Sequence, residues 1–69
     1  MKKFAVAYMN FFDNCLTVRV IESDNWVGAL QKRLLEIYPD SEPIELSEDI
    51  EAEKTNAFNQ EWVFDVTEV

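Results

Sequence analysis

The stretch KKFAVAYMNFFDNCLTVRVIE, residues 2–22, decides the fold. Two runs rich in β-branched and aromatic residues flank Asp13-Asn14, a pair that tolerates positive φ and favours turns. The pattern predicts a β-hairpin closed by a tight turn at Asp13-Asn14. Such a turn fixes the pairing: Phe12 faces Cys15, Phe11 faces Leu16, Met9 faces Val18 and Tyr8 faces Arg19. Side chains alternate along a strand, so this register divides the hairpin into two faces. One carries Ala5, Ala7, Met9, Phe11, Leu16, Val18 and Val20. The other carries Phe4, Val6, Tyr8, Asn10, Phe12, Cys15, Thr17, Arg19 and Ile21.

The first strand, Phe4 to Phe12, is apolar on both faces, as a central strand would be. The alanine-bearing face is the more continuous apolar surface. Its two small residues would let a helix approach closely, so it is the expected core face. A chain this short covers one side of a sheet. The other face, with Phe4, Val6, Tyr8, Phe12, Arg19 and Ile21, is therefore the candidate partner-binding or dimer face. Three readings stand side by side for it: ordinary exposed surface with Tyr8 stacked on Arg19, a homodimer, or a docked partner protein.

SDNWVGALQKRLLEIYP, residues 23–39, predicts a helix. Ser23 or Asp24 can cap it, and Asp24 complements the positive end of the dipole. Trp26, Leu30, Leu34 and Ile37 recur at helical spacing, flanked by Val27 and Tyr38, with Gln31, Lys32 and Glu36 on the wet side. Pro39 ends it, because the residue before a proline is pushed out of the α region. Gly28 costs an exposed helix about 1 kcal/mol relative to alanine, which points to close packing on the sheet.

Residues 40–60 predict a second short helix over about 48–58, capped by Ser47, since a structureless loop of that length is rare in a compact domain. EWVFDVTEV, residues 61–69, alternates as a half-buried strand, with Trp62, Phe64 and Val66 on one side and Asp65 and Thr67 on the other. The expected fold is α+β: one domain over residues 1–69, element order β-β-α-α-β, a three-stranded sheet in spatial order 2-1-3, helices on one face. The last strand is expected to run parallel to the first.

The 69 residues carry a net charge of −8 and a pI near 4.2, with 48% hydrophobic residues. That hydrophobic fraction argues for a folded chain over a disordered acidic one. A domain of this size buries only about 60% of its unfolded surface, so stability is marginal and self-association is one way to supplement it. Six scattered Lys and Arg residues make no basic face, which argues against nucleic-acid and anionic-membrane binding. MKKFAVAYMNFF opens like a signal peptide, but Asn10, Asp13 and Asn14 interrupt it and no cleavage motif follows. The single cysteine, Cys15, permits no internal disulfide. The expected compartment is the cytoplasm.

Enzyme signatures are absent. With no histidine, one cysteine and one glycine, the chain lacks histidine-assisted nucleophile pairs, the usual zinc sets and phosphate-cradling loops. No catalytic residue, metal site or cofactor is expected. Cys15 has no adjacent base to activate it, and Trp26 and Trp62 read as core anchors.

Seven of the fourteen acidic residues lie between positions 40 and 53: Asp40, Glu42, Glu45, Glu48, Asp49, Glu51 and Glu53, with no Lys or Arg between them. This strip is either a solvated surface that keeps a small protein soluble or an anionic docking strip for a basic protein, of the kind that imitates DNA. Calcium is a third reading, although the spacing misses the EF-hand loop and its glycine.

FAVAYMNFFDNCLTVRVIESDNWVGAL and AFNQEWVFDVTEV resemble small accessory proteins of T4-like tailed bacteriophages. The likeness rests on a strand with Asn and a Phe-Asp turn, a helix opening on Trp and an acidic C-terminal FDV strand. It implies a viral context in a bacterial cytoplasm. It also implies a function by protein–protein interaction, binding and redirecting or inhibiting one host protein; no site residue carries over. A self-associating assembly component using the hairpin face, and a calcium or small-ligand binder, are the alternatives.

Overall fold

In a computed structural model describing residues Met1–Val69, the chain forms β1 (Lys2–Asn10), β2 (Thr17–Ser23), α1 (Trp26–Ile37), α2 (Ile50–Asn59) and β3 (Trp62–Glu68). The sheet order is β2-β1-β3, with β1 central and both helices on one side. This is the α+β arrangement the alternation and helical spacing imply. One expectation is corrected: β3 pairs antiparallel with β1. β2 ends beside Lys2, and α1 returns the chain to the hairpin end, where Tyr38 meets Tyr8. The segment between the helices then runs back without helix, so α2 returns the chain a second time and β3 starts opposite Asn10.

The hairpin is looser than a tight turn at Asp13-Asn14. The Asn10 side chain caps the loop, its Oδ1 accepting the Asp13 N–H three residues on at 2.7 Å and its Nδ2 donating to Asp13 Oδ2 at 3.1 Å. The Asn14 N–H donates to the Asn10 carbonyl at 3.2 Å, with Asn14 at φ 51°. The Phe11 N–H is drawn away to the Glu61 carbonyl at 2.9 Å, so β1 ends at Asn10 and not at Phe12. Tyr8 accordingly faces Thr17 and Ala7 faces Val18. The pairing has slipped by two residues, an even step that keeps every side chain on its expected face.

α1 starts one residue later than Asp24 would place it. Asn25 is the N-cap, its Oδ1 accepting the Gly28 N–H at 2.8 Å. Its last turn closes through the Tyr38 N–H to the Leu34 carbonyl, before Pro39. α2 is capped by Asp49, whose Oδ1 accepts the Ala52 N–H at 3.3 Å. Ser47, the expected cap, instead donates its hydroxyl to Glu53 at 3.2 Å. α2 leaves through Glu61 at φ 70°, a left-handed corner that glycine more often occupies.

The core is a single cluster of Phe4, Val6, Ile21, Ala29, Leu30, Ala57, Phe64 and Val66. Val6, Ala29 and Leu30 are fully buried, and burying a side chain such as Leu30 stabilises by roughly 1.5–3 kcal/mol. Trp26 stacks on Phe64, their rings 6.1 Å apart and 12° from parallel. Gly28 sits where α1 passes the end of β2; a Cβ there would collide with the buried Ser23 hydroxyl. No helix is long and apolar enough to cross a membrane.

Candidate functional site

The structure inverts the expected core assignment. Phe4, Val6, Tyr8 and Ile21, four of the six residues of the candidate docking face, lie buried beneath the helices. They cannot be a docking or dimer surface. Arg19 is exposed, but it holds Glu36 at 3.6 Å and so ties β2 to α1. Phe12 is exposed in the hairpin loop, beyond the end of β1. The physical reason is volume. A helix resting on Ala5 and Ala7 would find few atoms to touch, whereas Phe4, Val6, Tyr8 and Ile21 offer large side chains to bury under the helices.

The uncovered side is therefore the alanine face. Ala5 and Ala7 form its floor, flanked by Val20 and Val18 on β2, while Met9 faces Val63 on β3. Val18 and Val20 are each 58% exposed and Leu16 is 64% exposed. Phe11 extends the surface and meets Phe58 of α2 edge-on at 5.4 Å between centroids. The charges on this face are matched: Lys3 lies opposite Glu22, and Asp65 is held by Lys54 at 3.1 Å. The result is an exposed apolar strip, Ala5, Ala7, Val18 and Val20, bordered by Lys3, Glu22, Asp65 and Thr67, on a protein of net charge −8.

The acidic strip lies on the other side of the molecule. Leu46 and Ile50 pack against the core from the helix side, and Gln31 Nε2 donates to the Ile44 carbonyl at 2.7 Å. Asp40, Glu42, Glu45, Glu48, Asp49 and Glu51 are exposed and Glu53 is half-buried. Two of the seven have local work, Asp49 as the α2 cap and Glu53 as acceptor for the Ser47 hydroxyl and N–H. None of the seven pairs with a cation. No group of three carboxylates converges where a metal ion could sit, so the calcium reading has no geometry behind it.

A polar seam missed by the sequence reading closes the hairpin end. Arg33 is only 8% exposed. Its guanidinium donates to Glu36 Oε1 at 3.2 Å and to Thr17 Oγ1 at 3.0 Å, while its Nε is buried without a partner. The clue was positional, since Arg33 stands three residues after Leu30 on the apolar side of α1. Beside it the Tyr8 and Tyr38 hydroxyls bond to each other at 2.7 Å. Burial, then the Tyr38 hydrogen bond, pushes the Tyr8 phenol up from 10.0 to about 12.

Next to this seam a cleft of about 190 Å³ opens between α1, residues 41–44 and the start of β3. Tyr8, Tyr38 and Trp62 line it, together with Leu34, Leu35 and Glu42. The Tyr8 and Tyr38 rings stand 79° apart, and Trp62 lies 5.7 Å from Tyr8. Hydrogen bonds fix its walls: Ser41 Oγ donates to the Tyr38 carbonyl at 2.8 Å, and Gln31 holds Ile44.

No protein-family model, no curated protein and no solved structure matches this chain.

Proposed function

We propose that this protein works by binding another protein, with the helix-free face of its sheet as the docking surface. The observation that carries the reading is the helix-free sheet face on which Val18 and Val20, each 58% exposed, flank Ala7 and Ala5. Large exposed apolar patches of this kind mark interaction sites on small domains. The resemblance to T4-like phage proteins makes a bacterial host protein the proposed partner, inhibited or redirected by the contact. The acidic strip contributes no atoms to this interface. It acts at a distance, favouring a basic partner and speeding encounter at low salt.

A second reading, self-association, has its own support. Two copies packed sheet to sheet would sit about 10 Å apart. Their acidic strips would then face outward on opposite sides, separated by far more than the ~8 Å screening length at physiological salt. Light scattering across a concentration series separates the two readings: a strict monomer removes the dimer, and a dimer dissolved by Val18→Glu with Val20→Glu supports it. For the host-protein reading, the same double variant should fold normally and lose a bacterial protein that the parent retains. Retention by both proteins would remove the sheet face from the function.

A further inference from the structure

The cleft beside the Tyr8–Tyr38 seam lies on the helix side, so it is independent of the docking face and needs its own account. We propose that it is a binding site for an alkylammonium group, held by cation–π attraction among Tyr8, Tyr38 and Trp62 with Glu42 at the rim.

Three features of the lining select this ligand. The first is the rings. Three aromatic side chains line one cavity; Tyr8 meets Tyr38 edge to face and is itself only 7% exposed, so Tyr38 and Trp62 supply the accessible ring surface with Tyr8 behind them. Ring faces are electron-rich and attract a cation most strongly when it is partly desolvated. The second is charge. Glu42 is the only charged residue lining the cleft, and the strip that contains it is uninterrupted by Lys or Arg from Asp40 to Glu53. The third is the absence of a cationic donor. No Lys or Arg lines the cleft, and its donors are the neutral Gln31 and Gln60 amides and the hydroxyls of Ser41, Tyr8 and Tyr38, two of which bond to each other. An anion would find little to bind it, whereas a cation that needs no acceptor of its own is well served.

Size narrows the class further. At about 190 Å³ the cleft is below the 300–1,000 Å³ of sites for drug-sized ligands. It takes one small head group, such as a methylated ammonium, and not a nucleotide or a second ring system. The same chemistry is offered by a free quaternary amine and by a lysine side chain on a partner.

The experiment is a nuclear magnetic resonance titration of the full chain with tetramethylammonium chloride. The expected result is saturable movement of the Trp62 indole N–H and the Tyr38 ring signals, with Trp26 unmoved and half-saturation on the order of 1 mM. Choline should bind like tetramethylammonium, and its neutral isostere 3,3-dimethylbutan-1-ol should bind about 5- to 30-fold more weakly than choline, the contribution of the charge over the rings. Tyr38→Phe should keep binding within about threefold, since the ring remains; Tyr38→Leu should lower it by at least about fivefold. Nα-acetyl-Nε-trimethyllysine methylamide distinguishes the sources. Tighter binding than tetramethylammonium assigns the site to a lysine on a protein, and equal binding assigns it to a free cation. Equal affinity for the neutral isostere would overturn the proposal without any variant, as would shifts that leave Trp62 and Tyr38 untouched.

Discussion

The two faces of the sheet share three strands and differ in side-chain volume and in polarity: the open face carries Lys3, Glu22, Asp65 and Thr67 beside its apolar residues, and the covered face carries the core. The covered face carries large side chains, Phe4, Val6 and Tyr8 on the central strand, and meets two helices. The open face has Ala5 and Ala7 at its centre and keeps its larger residues, Val18 and Val20, on the β2 edge. Hydrophobicity alone does not decide which face is buried. On β1 side-chain volume favours the covered side, because a helix must find atoms to touch and alanines offer few, and β3 adds its polar Asp65 and Thr67 to the open side. What remains outside is a shallow apolar surface with a flat floor, suited to contact with another protein surface.

The largest test of this difference is Leu30→Ala, which removes a fully buried side chain of α1 from the covered face. It should cost about 2–5 kcal/mol in urea unfolding, enough to unfold much of a domain whose stability is marginal. Val18→Ala, on the open face, should cost well under about 1 kcal/mol. Similar costs for the two would mean the faces are not energetically distinct.

Next in size is the alkaline limit of the covered face. Tyr8 has a folded pKa of about 12 against 10.0 unfolded. The unfolded chain releases this proton first, so Tyr8 contributes stability that is intact below pH 10 and lost as pH rises towards 12. The loss is on the order of 2 kcal/mol. Tyr8→Phe should therefore flatten the fall in stability over that range. Tyrosinate absorbance should show one of the two tyrosines ionising late, and identical slopes in parent and variant would place Tyr8 outside the sealed face.

The sequence made the element order, the sheet order and the membership of each face legible. Alternation identifies which residues share a side, and the two-residue slip in the hairpin changed no side chain's face. Which side is inside was not legible from alternation, because β1 is apolar on both. β3 carried the missing information: its wet residues, Asp65 and Thr67, sit beside Ala7 and Ala5, and its apolar Phe64 and Val66 sit beside Tyr8 and Val6. That clue could not be used from sequence. β1 and β3 are far apart along the chain, and no turn fixes the parity of their pairing. The aromatic cleft was hidden for a similar reason. Tyr8, Tyr38 and Trp62 come from three separate elements and meet only after α1 and residues 41–44 are placed. The direction of β3 was also misjudged, because it depends on how many times the chain between α1 and α2 reverses.

Gly28→Ala probes the seam between the faces with a smaller effect. In an open helix it should stabilise by about 1 kcal/mol. Here the new Cβ meets the Ser23 hydroxyl, so the single variant should gain nothing. Pairing it with Ser23→Ala should release up to about 1 kcal/mol, seen as non-additivity in a double-mutant cycle. Simple additivity would mean that α1 does not approach β2 closely at Gly28.

The smallest expected change in stability is also the sharpest functional test. Val18→Thr and Val20→Thr keep the β-branched shape that strands favour and replace one exposed methyl on each residue with a hydroxyl. Both side chains are 58% exposed, so the hydroxyls remain in water and no buried polar group is created. The double variant should match the parent within about 0.5 kcal/mol in urea unfolding. Its docking, or its dimerisation, should nonetheless weaken markedly, because the apolar atoms that a partner would cover are the ones removed. A covered face would respond in the opposite way, losing stability first. If the double threonine variant unfolds readily, the open face is part of the core; if it is stable and still binds undiminished, the partner contacts some other surface.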